Sequence, residues 1–377
     1  MATLRYGTAG EAGFNEMQLQ KARKLVAGWA EQNEQDYATW MVAHKGIIIA
    51  DESVKIPNQR IFPVASISKV VTATAAMFLA DDGLLSLTRR VSEYIPEFIG
   101  DGKHEVMVYH LMTHSSGLED NSIYENMKQN QGKVDLADCP DNQHPRLFER
   151  LQSGYGAPLQ SKPGTRMSYC GFGFELLSEI IRRLSGQNLA AFAKARLFVP
   201  LGMEDSFYSV PDEAKSRLLQ IPDGYEFAGL NSVERLAVPD AANGMYSTTA
   251  DLLKFGQMFL NKGIYHDKRI LSEATIRAMT RNQIPGISSY YGEEVFKEAN
   301  WGLGWSLSGE KRDESGTLRS PQTFSHSGAG CSFLLVDPVN AIVISCFIPT
   351  KQYITHFDRK FDYLSDVIIA GVERCGS

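Results

Sequence analysis

Ser66 and Lys69 stand three residues apart in FPVASISKVVTATAAMFLA, residues 62–80, at the mouth of an alanine-rich apolar stretch. A helix turns about 100° per residue, so positions i and i+3 share a face. If a helix begins near Ser66, the two side chains project together. The serine oxygen then also sits in the positive field of the helix N-terminus. A hydroxyl is a weak nucleophile at neutral pH and needs a neighbouring base, which a lysine becomes when burial lowers its pKa. Val64, Ala65, Ile67, Val70 and Val71 supply the dry setting. The chemistry indicated is attack on a carbonyl by an activated serine.

SxxK is a permissive pattern, and chance supplies roughly one or two copies in a chain of this length. A second copy, Ser308-Gly-Glu-Lys311, lies in SGEKRDESG. That stretch is charged and glycine-rich, which implies a solvated, fully protonated lysine. Context therefore selects the first copy. Two further stretches carry candidate chemistry. KPGTRMSYCGFGFELLSEIIRRLSG places Tyr169 just before a strong helix, and FSHSGAGCSFLLVDP places His326, Gly328 and Ala329 on a strand edge.

Other constellations have blander readings. His110 and His114 are spaced i, i+4, but no HExxH pattern or third ligand accompanies them, so no metal or cofactor is expected. Cys170 adjoins Tyr169 and reads as a small, half-buried space-filler. Trp301 and Trp305 in WGLGWSL read as core, with a cleft-lining role as the second reading. Tyr155, Tyr290 and Tyr291 are placed in loops. Gly302 and Gly304 belong to no GxxxxGK[ST] phosphate loop.

The elements that must position these residues follow from periodicity. Residues 14–33 read as an amphipathic helix with Asn15 as cap, and 38–54 as a hairpin turning near Lys45-Gly46. The stretch VMVYHLMTHSSG reads as a short helix stopped by Gly117. FGFELLSEIIRRLSG reads as a helix ended by Gly186, and TADLLKFGQMFLNKG as one capped by Thr249. Residues 119–162 are polar and read as a long surface loop or lid. Strands return from about 301, with DPVN as a turn, and a last helix spans roughly 355–372. The order predicts an α/β (α+β) fold, an antiparallel sheet flanked by terminal helices with a mainly helical insert. The expected division is 1–85 with 300–377 for the sheet and 86–299 for the helical part.

The 377 residues are 43% hydrophobic and 22% charged, an ordinary globular composition with length enough for a large core. The net charge of −6 comes without a basic block, which argues against nucleic acid and anionic membranes as partners. Cys139, Cys170, Cys331, Cys346 and Cys375 form no CxxC pair and are odd in number, so no disulfide framework is expected. MATLRYGTAG carries no signal-peptide pattern and no run is long enough for a membrane span, which gives a cytoplasmic expectation. The oligomeric state stays open.

The three stretches, in order, resemble the active-site elements of the serine β-lactamase and penicillin-binding superfamily. The likeness is strongest to its class C β-lactamase and family VIII esterase branch, with SxxK, then Tyr-x-Asn, then a Lys/His-x-Gly strand. LADDGLLSLTRRVSEYIPEF, VYHLMTHSSGL, NGMYSTTADLLKFGQMFLNKG and WGLGWSL extend the likeness over roughly residues 14–370. The resemblance implies that Ser66 is acylated and that Lys69 is its proton partner. Tyr169, in the field of Lys69, is then a candidate general base. The resemblance also implies an oxyanion hole made by the N–H groups of Ser66 and Ala329, with His326 donating to Tyr169 or to substrate. Gly171 stands where the pattern has asparagine and His326 where β-lactamases usually have lysine. Both departures favour an esterase, then a peptidase or amidase, over a dedicated β-lactamase. The substrate would be a small ester, amide or β-lactam. An acyltransferase, or a sensor domain that is acylated without turnover, remains an alternative.

Overall fold

Alternation of side chains decides the central layer. In strand β2, Ala38–His44, the residues Trp40 and Val42 point to one face, and Met41 and Ala43 to the other. All are buried, so both faces of the sheet must be covered. The computed structural model describes residues 3–31, 37–57, 60–219, 221, 228–291, 294–349 and 360–373. Within them β2 pairs antiparallel with β3, Ile47–Val54, through a turn where Lys45 and Gly46 take positive φ. The later strands are β4 (Ser306–Leu307), β5 (Phe324–Gly328), β6 (Ser332–Asp337) and β7 (Ile342–Phe347). A short β1, Arg5–Tyr6, completes the order β1-β3-β2-β7-β6-β5-β4. It runs parallel to β3, so the seven-stranded sheet is mixed and not purely antiparallel as the sequence suggested.

One face is covered by helix α1, Glu16–Glu31, and by the terminal helix, Phe361–Ile369. Asn15 Oδ1 accepts from the N–H groups of Met17 and Gln18 at the start of α1, as its type and position predict. The terminal helix is shorter than expected, and residues 355–359 of the expected span lie outside the described ones. The other face carries the large core, which runs from Met41 and Phe347 into the helical region.

That region centres on α2, Ile67–Asp81, whose Val70, Val71, Ala73, Ala75 and Ala76 are fully buried. A helix apolar on all sides is stable only when surrounded, and α2 packs on the sheet, on α6 (Phe172–Ser185) and on the helical stretch Leu189–Phe198. The same region holds α3 (Val108–Met112), α4 (Asp120–Gln129), α5 (Pro145–Gly154) and α7 (Thr249–Leu260). Helix α6 ends at Gly186 in the left-handed region, as expected. Two boundaries differ. The side chain of Thr248, not Thr249, caps α7 by accepting from Asp251 N–H, and α3 ends before His114, whose φ of 55° already breaks the helix. The expected lid at 119–162 is largely folded into α4, a 3-10 turn at Leu136–Asp138 and α5. Polar faces on short helices weaken the apolar period, which is why that stretch read as loop. No helix among the described residues is long and apolar enough to cross a membrane. Cys139, Cys170, Cys331 and Cys346 are free thiols, and Cys375 lies outside the described residues.

Candidate active site

The chain enters α2 through Ala65, a non-glycine residue at φ 45°, and Ser66 sits at the N-cap with φ −66°. A left-handed alanine is strained, and such strain persists only where the surroundings over-determine it. It lifts Ser66 out of the helix barrel while Lys69, one turn on, stays 1% exposed. The Ser66 Oγ to Lys69 Nζ distance is 3.0 Å. Nζ also donates to Ala242 O at 3.0 Å and to Asn243 Oδ1 at 3.3 Å. Ser66 Oγ–H donates to the same Asn243 oxygen at 3.0 Å. Burial pushes the Lys69 amine down to about 8, against the opposing pull of the Asp120 and Asp240 carboxylates. Once neutral, the amine keeps two N–H groups, and the two carbonyl acceptors occupy both. The lone pair is then left toward Ser66 Oγ, and the hydroxyl hydrogen reaches it by turning away from Asn243.

Asn243 was not singled out from the sequence. It sits in DAANGMYST, three residues after Asp240 and without a periodic cue, and only the fold brings it to α2. Its turn is held by Asp240, which accepts from Ala242 N at 2.8 Å and Asn243 N at 2.9 Å and pairs with Arg150 at 3.1 Å. Burial disfavours the Asp240 carboxylate, but Arg150 and the two N–H groups outweigh it and hold the group below its ordinary range. Arg150 also contacts buried Glu175.

Tyr169 leads into α6. Its ring centre lies 4.9 Å from Lys69 Nζ and 4.2 Å from the imidazole of His114. His114 Nδ1 accepts from Cys170 N–H at 3.0 Å. Burial first, then Lys69 and His326, hold His114 well below the usual histidine range, so it is neutral. His110 instead caps its own helix, with Nδ1 accepting from Met107 N–H. Cys170 is buried, and its thiol donates to Asp120 at 3.1 Å. Asp120 also accepts from Gly171 N–H at 2.9 Å. A Cβ at Gly171 would meet Ala242 Cβ at 3.4 Å, so the Ala242–Asn243 turn borders the space beside this glycine.

His326 lies on β5, 6.3 Å from Tyr169 between ring centres. Its Nδ1 is 2.7 Å from Ser327 O. A carbonyl can only accept, so Nδ1 carries the hydrogen, and Nε2 donates only in the imidazolium form. At Gly328 any Cβ would stand 2.2 Å from Val64 O and 2.3 Å from Ser332 Oγ. This glycine lets the end of β5, with Ala329 next in sequence, close against the segment that leads into Ser66. Gly304, at φ 86°, plays a similar part, since a Cβ there would be 2.8 Å from Ala73 of α2.

The aromatic pair separates. Trp305 is fully buried against Phe255, Phe259 and Phe324. Trp301 lines a cleft with Tyr169 and His326. Tyr155 is buried at the end of α5 rather than in an open loop. Ser289–Tyr291 forms a strand instead of a loop. Lys311, read from sequence as solvated and fully protonated, lines the cleft too, and burial pushes it down to about 8. Asp313 and Glu314 line the same cleft, and local composition does not reveal that this charged stretch folds against Trp301 and Phe296.

Sheet, terminal helices and the helical region around α2 together form a β-lactamase/transpeptidase-like fold. A solved family VIII carboxylesterase superposes with a TM-score of 0.72 at 21% identity, covering 94% of this chain and 97% of that one. The chain belongs to the Beta-lactamase family, whose model matches residues 23–366. It is 29% identical to penicillin-binding protein 4 of Amycolatopsis lactamdurans over 70% of this chain and 66% of that protein. It is 30% identical to esterase EstB of Burkholderia gladioli over 55% of this chain and 59% of that protein.

Proposed function

We propose that the protein is a serine hydrolase that forms an acyl-enzyme at Ser66 and releases it to water, with small esters as preferred substrates. The observation that carries this is the 3.0 Å contact of Ser66 Oγ with a buried lysine amine whose other two partners are carbonyl oxygens. In the first step neutral Lys69 takes the Ser66 proton as Oγ bonds to the substrate carbonyl carbon. The carbonyl electron pair moves onto oxygen, and the N–H groups of Ser66 and Ala329 receive it. Collapse of this intermediate breaks the bond to the leaving group, which takes the proton. Tyr169, beside Lys69, is the second candidate for the proton relay. Water then attacks the acyl-enzyme, its proton passing to the same base, and the acid leaves while Ser66 regains its hydrogen.

The similarity to esterase EstB and to the solved family VIII carboxylesterase supports ester hydrolysis. Histidine at 326 and glycine at 171 place amide or peptide hydrolysis second and β-lactam hydrolysis third. Labelling with a fluorophosphonate and mass mapping tests the core of this reading. A label on Ser66, absent from Ser66→Ala, is the expected result, and a label elsewhere overturns it. A short-chain p-nitrophenyl ester should turn over well and nitrocefin poorly.

A further inference from the structure

Arg150 reaches inward from α5 and closes a chain of contacts that ends on Lys69. Its planar guanidinium takes two carboxyl groups at once. Nη1 donates to Asp240 Oδ2 at 3.1 Å, and Nη2 donates to Glu175 Oε1 on α6. Asp240 turns its other oxygen to the backbone N–H groups of Ala242 and Asn243. Among the described residues Arg150 is the only cation paired with Asp240.

The next link is a single peptide group. The bond between Ala242 and Asn243 is trans and planar, so its N–H and C=O point in opposite directions. The N–H is on Asp240 Oδ1 at 2.9 Å, and the C=O accepts from Lys69 Nζ at 3.0 Å. Whatever turns one end turns the other. The Asn243 side chain meets both Nζ and Ser66 Oγ. The inner side of this turn is bolted to α2: Thr72 Oγ1 donates to Ala241 O at 2.8 Å, and Ser68 Oγ accepts from Met245 N–H at 3.0 Å. Its outer side rests on Asp240, and Asp240 rests on Arg150.

Charge is the second coupling. The titratable groups facing Lys69 are Tyr169, Cys170 and Glu175 at the start of α6, His114 after α3, Asp120 at the start of α4, and Asp240. His114 is neutral, and burial favours the thiol of Cys170 and the acid form of Glu175. The carboxylates of Asp120 and Asp240 remain, and each favours the ammonium over the free base. Arg150 cancels the second of them at its source.

We propose that Arg150 is a positioning residue of the reaction: from α5, through Asp240 and the Ala242–Asn243 peptide, it fixes the acceptors that aim Lys69 at Ser66, so that docking of α5 completes the site. The proposal rests on the reading of Ser66 as the acylated residue with Lys69 as its base.

The test is a pH–rate series on a p-nitrophenyl ester with three variants. Arg150→Met should lower kcat about tenfold with little change in KM. Its rising limb should move up by about one pH unit, because Asp240 is left uncancelled. Arg150→Lys restores a cation and a hydrogen bond, so its limb should return to the wild-type place and kcat should recover in part. Asp240→Asn keeps an oxygen for the two N–H groups but leaves the guanidinium unopposed, so its limb should move down. A merely structural Arg150 changes stability alone, or lowers kcat with every limb in place, and either result overturns the proposal. If Arg150→Met does not fold, the direction of the shift in Asp240→Asn decides. If Ser66 proves not to be acylated, Lys69 is read directly, by NMR titration of isotope-labelled lysine ε carbons assigned with Lys69→Arg. Its midpoint should lie at about 8 in the wild type, higher in Arg150→Met and lower in Asp240→Asn. Equal midpoints overturn the proposal independently of the hydrolase reading, and midpoints that move without any turnover overturn that reading alone.

Discussion

The imidazole of His114 stacks on the phenol of Tyr169, with ring centres 4.2 Å apart and planes inclined by 25°. The same imidazole accepts the N–H of Cys170, so one side chain fixes both the ring and the backbone that carries it. His114→Ala removes an aromatic pair worth about 0.5–1.5 kcal/mol and leaves a buried N–H unsatisfied at about 1–3 kcal/mol. The expected result is a melting temperature several degrees lower and a fall in kcat of about tenfold or more, with KM much less affected. A fall in stability alone, with kcat intact in the folded protein, would show that Tyr169 needs no such support.

The pH profile follows from Lys69. Its amine is pushed down to about 8 by burial. Only the neutral form accepts the Ser66 proton, so activity rises with pH, about tenfold per unit below that value, and levels above it. Lys69→Arg is expected to abolish turnover, because a guanidinium stays protonated throughout this range. A profile already flat from pH 6 would assign the proton to a different group.

Asn243 supplies one of the two carbonyl oxygens that orient Lys69, and the only one from a side chain. Asn243→Ala should cost about tenfold to a hundredfold in kcat, since both Nζ and Ser66 Oγ lose an acceptor. Asn243→Asp keeps the oxygen but adds a negative charge beside the amine. That favours the ammonium and should move the rising limb of the profile to higher pH. A pH–rate series on the two variants separates lost geometry from altered charge.

Much of this site was legible in the chain. Ser66 and Lys69 are local neighbours on one helix, so spacing alone joins them. Tyr169 and His326 were marked by the resemblance of their stretches to the superfamily's second and third elements. Asn243, Asp120 and Arg150 were not, because their roles come from long-range approach: Asn243 opens one of the stretches that extend the resemblance, yet it lies 177 positions from Ser66 and nothing local points to that contact. Lys311 was read wrongly for the opposite reason. Its sequence neighbours are polar, yet its side chain turns inward against Trp301 and Phe296. The parallel β1 was missed because two exposed residues carry no period. The polar helices at 119–162 were missed because a short helix with one buried stripe shows few apolar repeats.

Glu175 gives a prediction about stability rather than turnover. It is 3% exposed, and its Oε2 is buried without a hydrogen-bond partner. Burial pushes its carboxyl up to about 8, even with Arg150 opposing. The folded state therefore holds a proton that the unfolded chain releases near pH 4.5. The contribution of this group is fully present below that value and is lost as pH rises through about 8, a change on the order of 2–4 kcal/mol between pH 5 and pH 8. Glu175→Gln cannot ionise and should flatten that decline, so the variant gains on the wild type in urea midpoint at pH 8 relative to pH 5. Arg150→Met should act in the opposite sense. It strips Glu175 and Asp240 of their cation, at about 3 kcal/mol or more, and deepens the loss at high pH. Parallel declines in all three proteins would mean that Glu175 is ionised throughout, and that the charge cluster behind Lys69 is balanced in another way.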